Sequence, residues 1–325
     1  MIRLPAFTFL TPGTLDEAVK MLADHGPEAT TVAGGTDLYP NMKRRQSTPA
    51  TLVSLRRIGD LRGIRRSGRG TLVIGATAAL ANVAGDPRVH RALATAAGAV
   101  STPQIRNVGT IGGNLCVDTR CDYINMSEGW RRSVDFCLKD RGETCWVAPR
   151  GTRCVAVSST DIAPVAIALD SEISLASVRG TRTVPAADLY RNDGIDYLSR
   201  TPDEILSQLV VPLVIGRRAT YRKVRRRGTI DFPVLGVAAA ATLEDDGTCT
   251  SVRIVLGAIA SAPIRAGEAE DFLVGRRLTP DVVEEAGRLA GKAARPYDNT
   301  DLNSRYRRRM VPVHVGRALQ DLTAG

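Results

Sequence analysis

The chain has 325 residues, enough to bury a substantial core and to divide into two or three domains. Aromatic residues make up 4% and charged residues 24%, and no apolar run approaches the roughly 18 residues that span a bilayer, so a globular protein without a membrane segment is expected. The net charge of +10 falls in short bursts at Lys43–Arg45, Arg56–Arg57, Arg222–Arg227 and Arg305–Arg309, without interleaved aromatics. That pattern argues against nucleic acid; it suits solvated faces, or a surface that steers an acidic protein partner or meets a neighbouring subunit.

The opening residues, Met1 to Phe9, lack the basic segment and long apolar run of a signal peptide. The expected compartment is therefore the cytoplasm, where thiols stay reduced and clustered cysteines favour metal over disulfide. From Phe7 the pattern predicts a short strand, a turn at Pro12-Gly13, and a helix. Thr14-Leu15-Asp16-Glu17 is a capping box, and Leu15, Ala18, Val19 and Leu22 mark the apolar face that follows. Thr30–Ala33 reads as a strand running into Gly34-Gly35-Thr36-Asp37, and Thr51–Leu55 as another after the basic Met42–Arg45 segment, giving a βαβ unit with a glycine turn. A second unit begins with the strand at Leu72, continues through helical stretches to Val100, and reaches the turn-rich Ser101–Asn114. The following segment is polar, carries both tryptophans, and reads as an insertion. Regular structure resumes with a helix at Asp161–Leu169 and strands at Glu172–Ala176 and Ile205–Val211. After Pro212 come strands at Thr220–Val224, Val234–Leu243 and Ser251–Ala258, then helices at Ala266–Val274, Pro280–Ala293 and Ser304–Leu322. The expected class is α+β: two α/β subdomains at about 1–56 and 57–217, an insertion at about 116–157, and a C-terminal α+β domain at 218–325 with an antiparallel sheet and helices.

Two glycine turns carry the first chemical signal. Ala33-Gly34-Gly35-Thr36-Asp37 and Thr110-Ile111-Gly112-Gly113-Asn114 each let backbone N–H groups turn onto an anion. Neither fits Gly-x-Gly-x-x-Gly, but turns from two units can cradle a pyrophosphate from both sides. The second signal is Cys121, Cys137, Cys145 and Cys154, separated by 15, 7 and 8 residues. These gaps match no common zinc-finger or ferredoxin spacing, yet four thiolates from one loop suit an iron–sulfur cluster or a structural zinc. Cys116, five residues before Cys121, is either a substitute ligand or a small buried residue, and Cys249 is structural. His25, His90 and His314 are dispersed and read as surface or packing residues. Trp130, Trp146 and Tyr123 are expected to wall the cysteine site off from water.

Ala33–Lys43, Gln104–Asn114, Asp161–Pro164 and Tyr221–Arg227 resemble, in order and nearly end to end, the FAD-binding subunits of the molybdenum hydroxylases, the xanthine dehydrogenase and carbon monoxide dehydrogenase family. Leu256–Arg265 resembles the start of that family's C-terminal domain. Most members pass from Gly-Gly-Asn to Asp-Leu-x-Pro in a short loop, whereas about forty residues intervene here. The insertion is similar to the one in the β subunits of 4-hydroxybenzoyl-CoA reductases, which holds an additional [4Fe-4S] cluster; Asp118–Cys121, Phe136–Lys139 and Cys145–Pro149 carry that likeness.

The resemblance implies FAD held by Val32, Ala33, Gly34, Gly35, Thr36 and Asp37 together with Thr110, Ile111, Gly112, Gly113 and Asn114. It implies that Asp161 accepts a hydrogen bond from the cofactor and that Lys223 approaches its isoalloxazine end or its phosphates. Cys121, Cys137, Cys145 and Cys154 would ligate the cluster. No catalytic residue is expected on this chain. The molybdenum cofactor would lie in a large partner subunit and two [2Fe-2S] clusters in a small one, within a dimer of three-subunit units. Electrons would enter from reduced ferredoxin and pass through cluster and FAD toward molybdenum, for reductive dehydroxylation to benzoyl-CoA in anaerobic aromatic degradation. The competing expectation is a subunit of an aldehyde, xanthine or CO dehydrogenase type that passes electrons outward, with the cysteine loop a structural zinc or docking insertion.

Overall fold

Hydrophobic residues of the first unit fold around a small parallel sheet. Strands β1 (Thr8–Leu10), β2 (Ala29–Val32) and β3 (Thr51–Ser54) pair in the order β1-β3-β2, with α1 (Leu15–His25) and α2 (Leu38–Lys43) as the connections. This computed structural model describes residues 2–68 and 70–323, so the outer domain limits at Met1 and Gly325 lie outside the described residues. Strand β3 is buried on both faces: Val53 packs with Ala18, Val19 and Leu22 of α1, and Leu52 with Val32 and Met42. Thr14 caps α1 by accepting from the Glu17 amide at 3.2 Å, but the Glu17 carboxylate reaches the Gly13 amide at 2.7 Å, one residue beyond the expected box. Helix α2 covers much of what read only as a basic segment. Its Pro40 sits in the first turn, where a missing N–H breaks no intrahelical bond.

The second unit has a five-stranded sheet that is antiparallel throughout. Strands β4 (Ile64–Ser67), β5 (Thr71–Gly75), β6 (Glu172–Ser177), β7 (Gly180–Pro185) and β8 (Ile205–Pro212) lie in the order β4-β5-β8-β6-β7. Between β5 and β6 run α3 (Leu80–Gly85), α4 (Arg91–Ala99), α5 (Pro103–Arg106) and α6 (Ile111–Leu115), then α7 (Asp122–Asn125) and α8 (Glu128–Ser133) in the cysteine segment, then α9 (Ile162–Ala168). Leu72, Ile74, Leu93, Ile111, Val165 and Leu209 meet in its core. Strand β7 escapes a sequence reading because it is a solvated edge, with every residue exposed or half-buried and no alternation to find.

Strands β9 (Arg217–Val224), β10 (Leu235–Leu243), β11 (Cys249–Gly257) and β12 (Ile264–Arg265) form the third sheet, backed by α10 (Gly267–Leu273), α11 (Pro280–Ala293) and α12 (Ser304–Thr323). Side-chain alternation along β10 decides how this domain attaches. Leu235, Val237, Ala239 and Ala241 join a core with the three helices, while Ala238 and Ala240 join the core of the second unit. The central strand is thus dry on both faces and the two domains share apolar contact. The expectation that basic bursts are solvated fails at Arg307, which is 1% exposed and donates to the carbonyls of Val234, Tyr297 and Ala258. Orphan loop carbonyls without water require such a donor. Among the described residues no helix is long and apolar enough to cross a membrane.

Candidate functional site

The two glycine turns meet. A Cβ on Gly34 would overlap the Val108 carbonyl, and one on Gly109 would lie 3.4 Å from Thr36 Oγ1, so the backbones touch directly. Gly35 takes φ +68°, a left-handed conformation that glycine adopts without strain. In the second turn Thr110 Oγ1 accepts from the Gly113 amide at 3.1 Å, and the Gly112 amide donates to Ala76 O at 2.9 Å. A side chain at Gly112 would begin 2.8 Å from Ala76 Cβ. Packing of chain on chain therefore demands these glycines, independently of any space they leave for a ligand.

Asn114 ties this turn to the next motif. Its Oδ1 accepts from Thr160 Oγ1 at 2.8 Å and from the Ile162 amide at 3.1 Å, which fixes the start of α9 and places Asp161. One Asp161 oxygen accepts from the Tyr221 hydroxyl at 2.7 Å and the other from Lys223 Nζ at 2.9 Å; Lys223 also donates to Ala99 O at 2.9 Å. Asp161 and Lys223 are thus brought together as a buried pair between α9 and β9, with both carboxylate oxygens occupied by protein donors. Burial pushes the Asp161 carboxyl up and the Lys223 ammonium down, and each is partly drawn back by the other's charge.

The loop between β9 and β10 is strapped onto Ser101, whose carbonyl accepts from the Ile230 amide at 3.2 Å and from Thr229 Oγ1 at 3.1 Å. Ile230 sits at φ +64°, an outlying position for a β-branched residue and the kind of strain that collects at binding sites. Under the strap lies a cleft of about 290 Å³, lined among others by Arg120, Asp122, Asn125, Ser159, Arg227 and Phe232. Ser159 Oγ and Asn125 Oδ1 are buried and have no partner among the described residues. Arg120 ion-pairs with Asp37 at the end of the first glycine turn, donates to Asn41 Oδ1 at 3.2 Å, and lies over the Phe232 ring, 4.7 Å from its centroid. Arg120 therefore links the cleft to Asp37 of the first glycine turn, while none of the residues expected to hold the cofactor lines the cleft itself. A larger opening of about 570 Å³ between Ala29–Thr30, Ser47–Ala50 and Ile195–Leu198 contains none of the expected site residues.

Cys121, Cys137, Cys145 and Cys154 are buried free thiols around one small, tightly packed apolar cavity, which Tyr123, Leu138, Lys139 and Trp146 also line. Among the described residues no group of three or more His, Cys, Asp or Glu side chains is arranged to hold a metal ion. The four thiols surround a space; they do not converge on a point, and the structure does not assemble them as a metal centre. Cys116 is outside this lining, beside Arg200, and Cys249 lies apart in β11. Burial, helped by the neighbouring Cys154 and Cys137 and opposed by a backbone hydrogen bond from Tyr123, pushes the Cys121 thiol up to about 12. Cys154 is also raised by burial, with Lys139 opposing. An apolar pocket of this kind keeps thiols protonated until a cation replaces the protons. Trp130 packs on Tyr123, ring centroids 5.8 Å apart, but Trp130 and Trp146 stay 37% and 39% exposed, so they shield the cavity without sealing it.

Three residues shape the cavity through partners distant in the chain. A Cβ on Gly194 would lie 2.6 Å from Cys154 Sγ. Lys139 Nζ donates to Asp118 Oδ1, Thr119 Oγ1 and Gly194 O at 2.8, 2.8 and 2.6 Å. Buried Asn299, from the C-terminal domain, accepts from the Asp122 amide at 2.9 Å and donates from its side chain to Val155 O at 2.6 Å. Asn192-Asp193-Gly194 carries a turn signal in sequence; nothing in the sequence ties it to Cys154. One segment walls both cavities: Cys121, Tyr123 and Ile124 line the thiol cavity, while Arg120, Asp122 and Asn125 line the cleft.

Glycine turns in backbone contact beside a deep cleft are the makings of a site for an extended nucleotide cofactor, and the comparisons with known proteins say which. Residues 5–214 match the FAD binding domain in molybdopterin dehydrogenase, and residues 219–322 match the CO dehydrogenase flavoprotein C-terminal domain. The chain belongs to the FAD-binding subunits of the molybdenum hydroxylase family, oxidoreductase components that include those of CO and xanthine dehydrogenases. It is 27% identical to the 6-hydroxypseudooxynicotine dehydrogenase complex subunit alpha of Paenarthrobacter nicotinovorans, covering 97% of this chain and 94% of that one. It is 30% identical to the nicotinate dehydrogenase FAD-subunit of Eubacterium barkeri, covering 86% and 83%. The structure of carbon monoxide dehydrogenase from Hydrogenophaga pseudoflava lacking the Mo-pyranopterin moiety superposes with a TM-score of 0.82 at 28% identity, over 99% of each chain.

Proposed function

We propose that this chain is the electron-transfer subunit of a reductase of the 4-hydroxybenzoyl-CoA type, with FAD between the glycine turns and the strapped loop and a [4Fe-4S] cluster at Cys121, Cys137, Cys145 and Cys154. The observation that carries the reading is the cysteine cavity: four thiols from scattered positions line one apolar space that shares a wall with the cleft. The same donor set, all sulfur, suits an iron–sulfur cluster.

In this reading the backbone at 33–37 holds the cofactor's phosphates, the turn at 110–114, whose Ile111, Gly112 and Gly113 amides are donated within the protein, packs up against it, and Arg120, Asn125 and Ser159 face its remaining polar edge. Asp161 and Lys223 brace α9 against β9 and keep the cleft in shape. FAD supplies exchange of one or two electrons, which lets one-electron centres communicate with a two-electron site. The protein's part at the cysteine cavity is to give up four thiol protons and to keep water away. Substrate chemistry belongs to a large molybdenum-cofactor subunit, with a small [2Fe-2S] subunit between, and reduced ferredoxin as electron donor. The exposed arginines of the insertion, Arg132 and Arg141, suit an acidic donor of that kind.

The test is iron, zinc and acid-labile sulfide per flavin on anaerobically purified protein. About four irons and four sulfides per FAD support the reading, and reconstitution should improve as pH rises, because the raised thiols must lose protons to bind. Zinc, or FAD with no metal, would instead favour an outward-passing dehydrogenase subunit with a structural loop, a reading in keeping with the names of the relatives. Cys137→Ser should then be the sharpest single variant: cluster lost, FAD kept.

A further inference from the structure

Arg120 is tied down more heavily than a surface cation needs. Its backbone exchanges two hydrogen bonds with Val157, at 2.8 and 2.7 Å. Its guanidinium pairs with Asp37, reaches Asn41 in α2, and is capped by Phe232 from the C-terminal domain, so three separate parts of the chain hold it. The residue is 6% exposed, yet its Nε has no partner among the described residues. Leaving a buried charged donor unsatisfied costs more than leaving a neutral one. Such a group is expected where a ligand completes it, and Arg120 lines the cleft in which Ser159 Oγ and Asn125 Oδ1 are likewise unpartnered.

We propose that Arg120 is a flavin-contacting residue that sets a fixed positive charge against the bound cofactor and so makes the flavin easier to reduce. The proposal rests on the placement of FAD in the cleft beside the glycine turns. Negative charge gained by the flavin on reduction is stabilised by a cation held in a dry, preorganised site far more than by one in water. An arginine guanidinium stays charged at neutral pH. Asp37, its partner, is the opposing charge: with Asp37 neutral, the same guanidinium acts on the flavin undiluted. Position matters too. Arg120 precedes Cys121, so the residue that biases the flavin adjoins one that lines the thiol cavity.

The experiment uses the full chain loaded with FAD and measures flavin midpoint potential by spectroelectrochemistry, together with FAD affinity by fluorescence. Arg120→Met should shift the potential negative and weaken FAD binding by roughly 10- to 100-fold, the loss of one charged hydrogen bond. Arg120→Lys should restore most of the potential and less of the affinity. Asp37→Asn should shift the potential the opposite way, to more positive values. If Arg120 merely braces the turn, Arg120→Met and Asp37→Asn would weaken FAD alike without opposite shifts, and the proposal is overturned. Should Arg120→Met fail to fold, the signs for Arg120→Lys and Asp37→Asn still decide, and an unchanged potential in Asp37→Asn counts against it. A wild-type chain that binds no FAD would remove the cofactor placement itself, a separate failure recognised before any variant is made.

Discussion

The glycine turns and the cysteine cavity are built in opposite ways. The turns are a backbone construction: two short segments touch at Gly34 and Val108, and one asparagine carries that geometry on to α9. The cavity is a side-chain construction, in which a long loop gathers four thiols and distant residues, Gly194 and Asn299, hold it shut. Backbone sites are compact in sequence and fail all at once when a turn is disturbed. Side-chain sites are dispersed and can be emptied one ligand at a time while the fold survives.

Four variants press on that contrast. Lys223→Met should be the most damaging, because it strands Asp161 as a buried charge; a loss of roughly 3–5 kcal/mol in urea denaturation is expected, with FAD retention falling alongside. If stability drops while FAD binding is untouched, the cleft is less dependent on the domain junction than its geometry implies. Gly34→Ala should follow, at or above the upper end of the roughly 1–3 kcal/mol that overpacking costs, since its new methyl overlaps a carbonyl that cannot move aside. Here both stability and FAD occupancy should fall together, and an intact flavin spectrum would contradict the backbone account. Gly194→Ala should act on the other region alone: its Cβ would crowd Cys154 Sγ, so metal per flavin should drop with FAD unchanged. Loss of both cofactors in that variant would show the two regions to be one cooperative unit. The smallest effect is expected from Thr14→Ala, far from either site, at about 1 kcal/mol of melting stability for one lost helix cap and no change in cofactor content.

What was readable in advance follows the same division. The capping box at Thr14, the period-3.6 face of α1 and the alternation along β10 are local patterns, and they predicted those elements well. The helices Pro280–Ala293 and Ser304 onward were readable for the same reason. The glycine turns were conspicuous as motifs, although their glycines turn out to serve packing of the protein against itself. The cysteines were visible as a set. Arg120, Lys139 and Gly194 were not, because each matters through a partner far along the chain: Arg120 through Asp37 and Phe232, Lys139 and Gly194 through one another. Strand β7 escapes because an exposed edge leaves no hydrophobic period, and the antiparallel order of the second sheet because its pairing of β5 with β8 spans the long cysteine segment.

Asn299 touches the chain immediately after Cys121 and immediately after Cys154. A loop whose two feet are clipped to one residue of another domain has its closure entropy met at the base, whatever the length of chain between. Such a loop is free to lengthen, shorten or change sequence in its middle at little thermodynamic penalty, so long as the clip remains. It is also not portable by itself: moving residues 116–157 into a relative transfers the thiols and leaves the fastener behind.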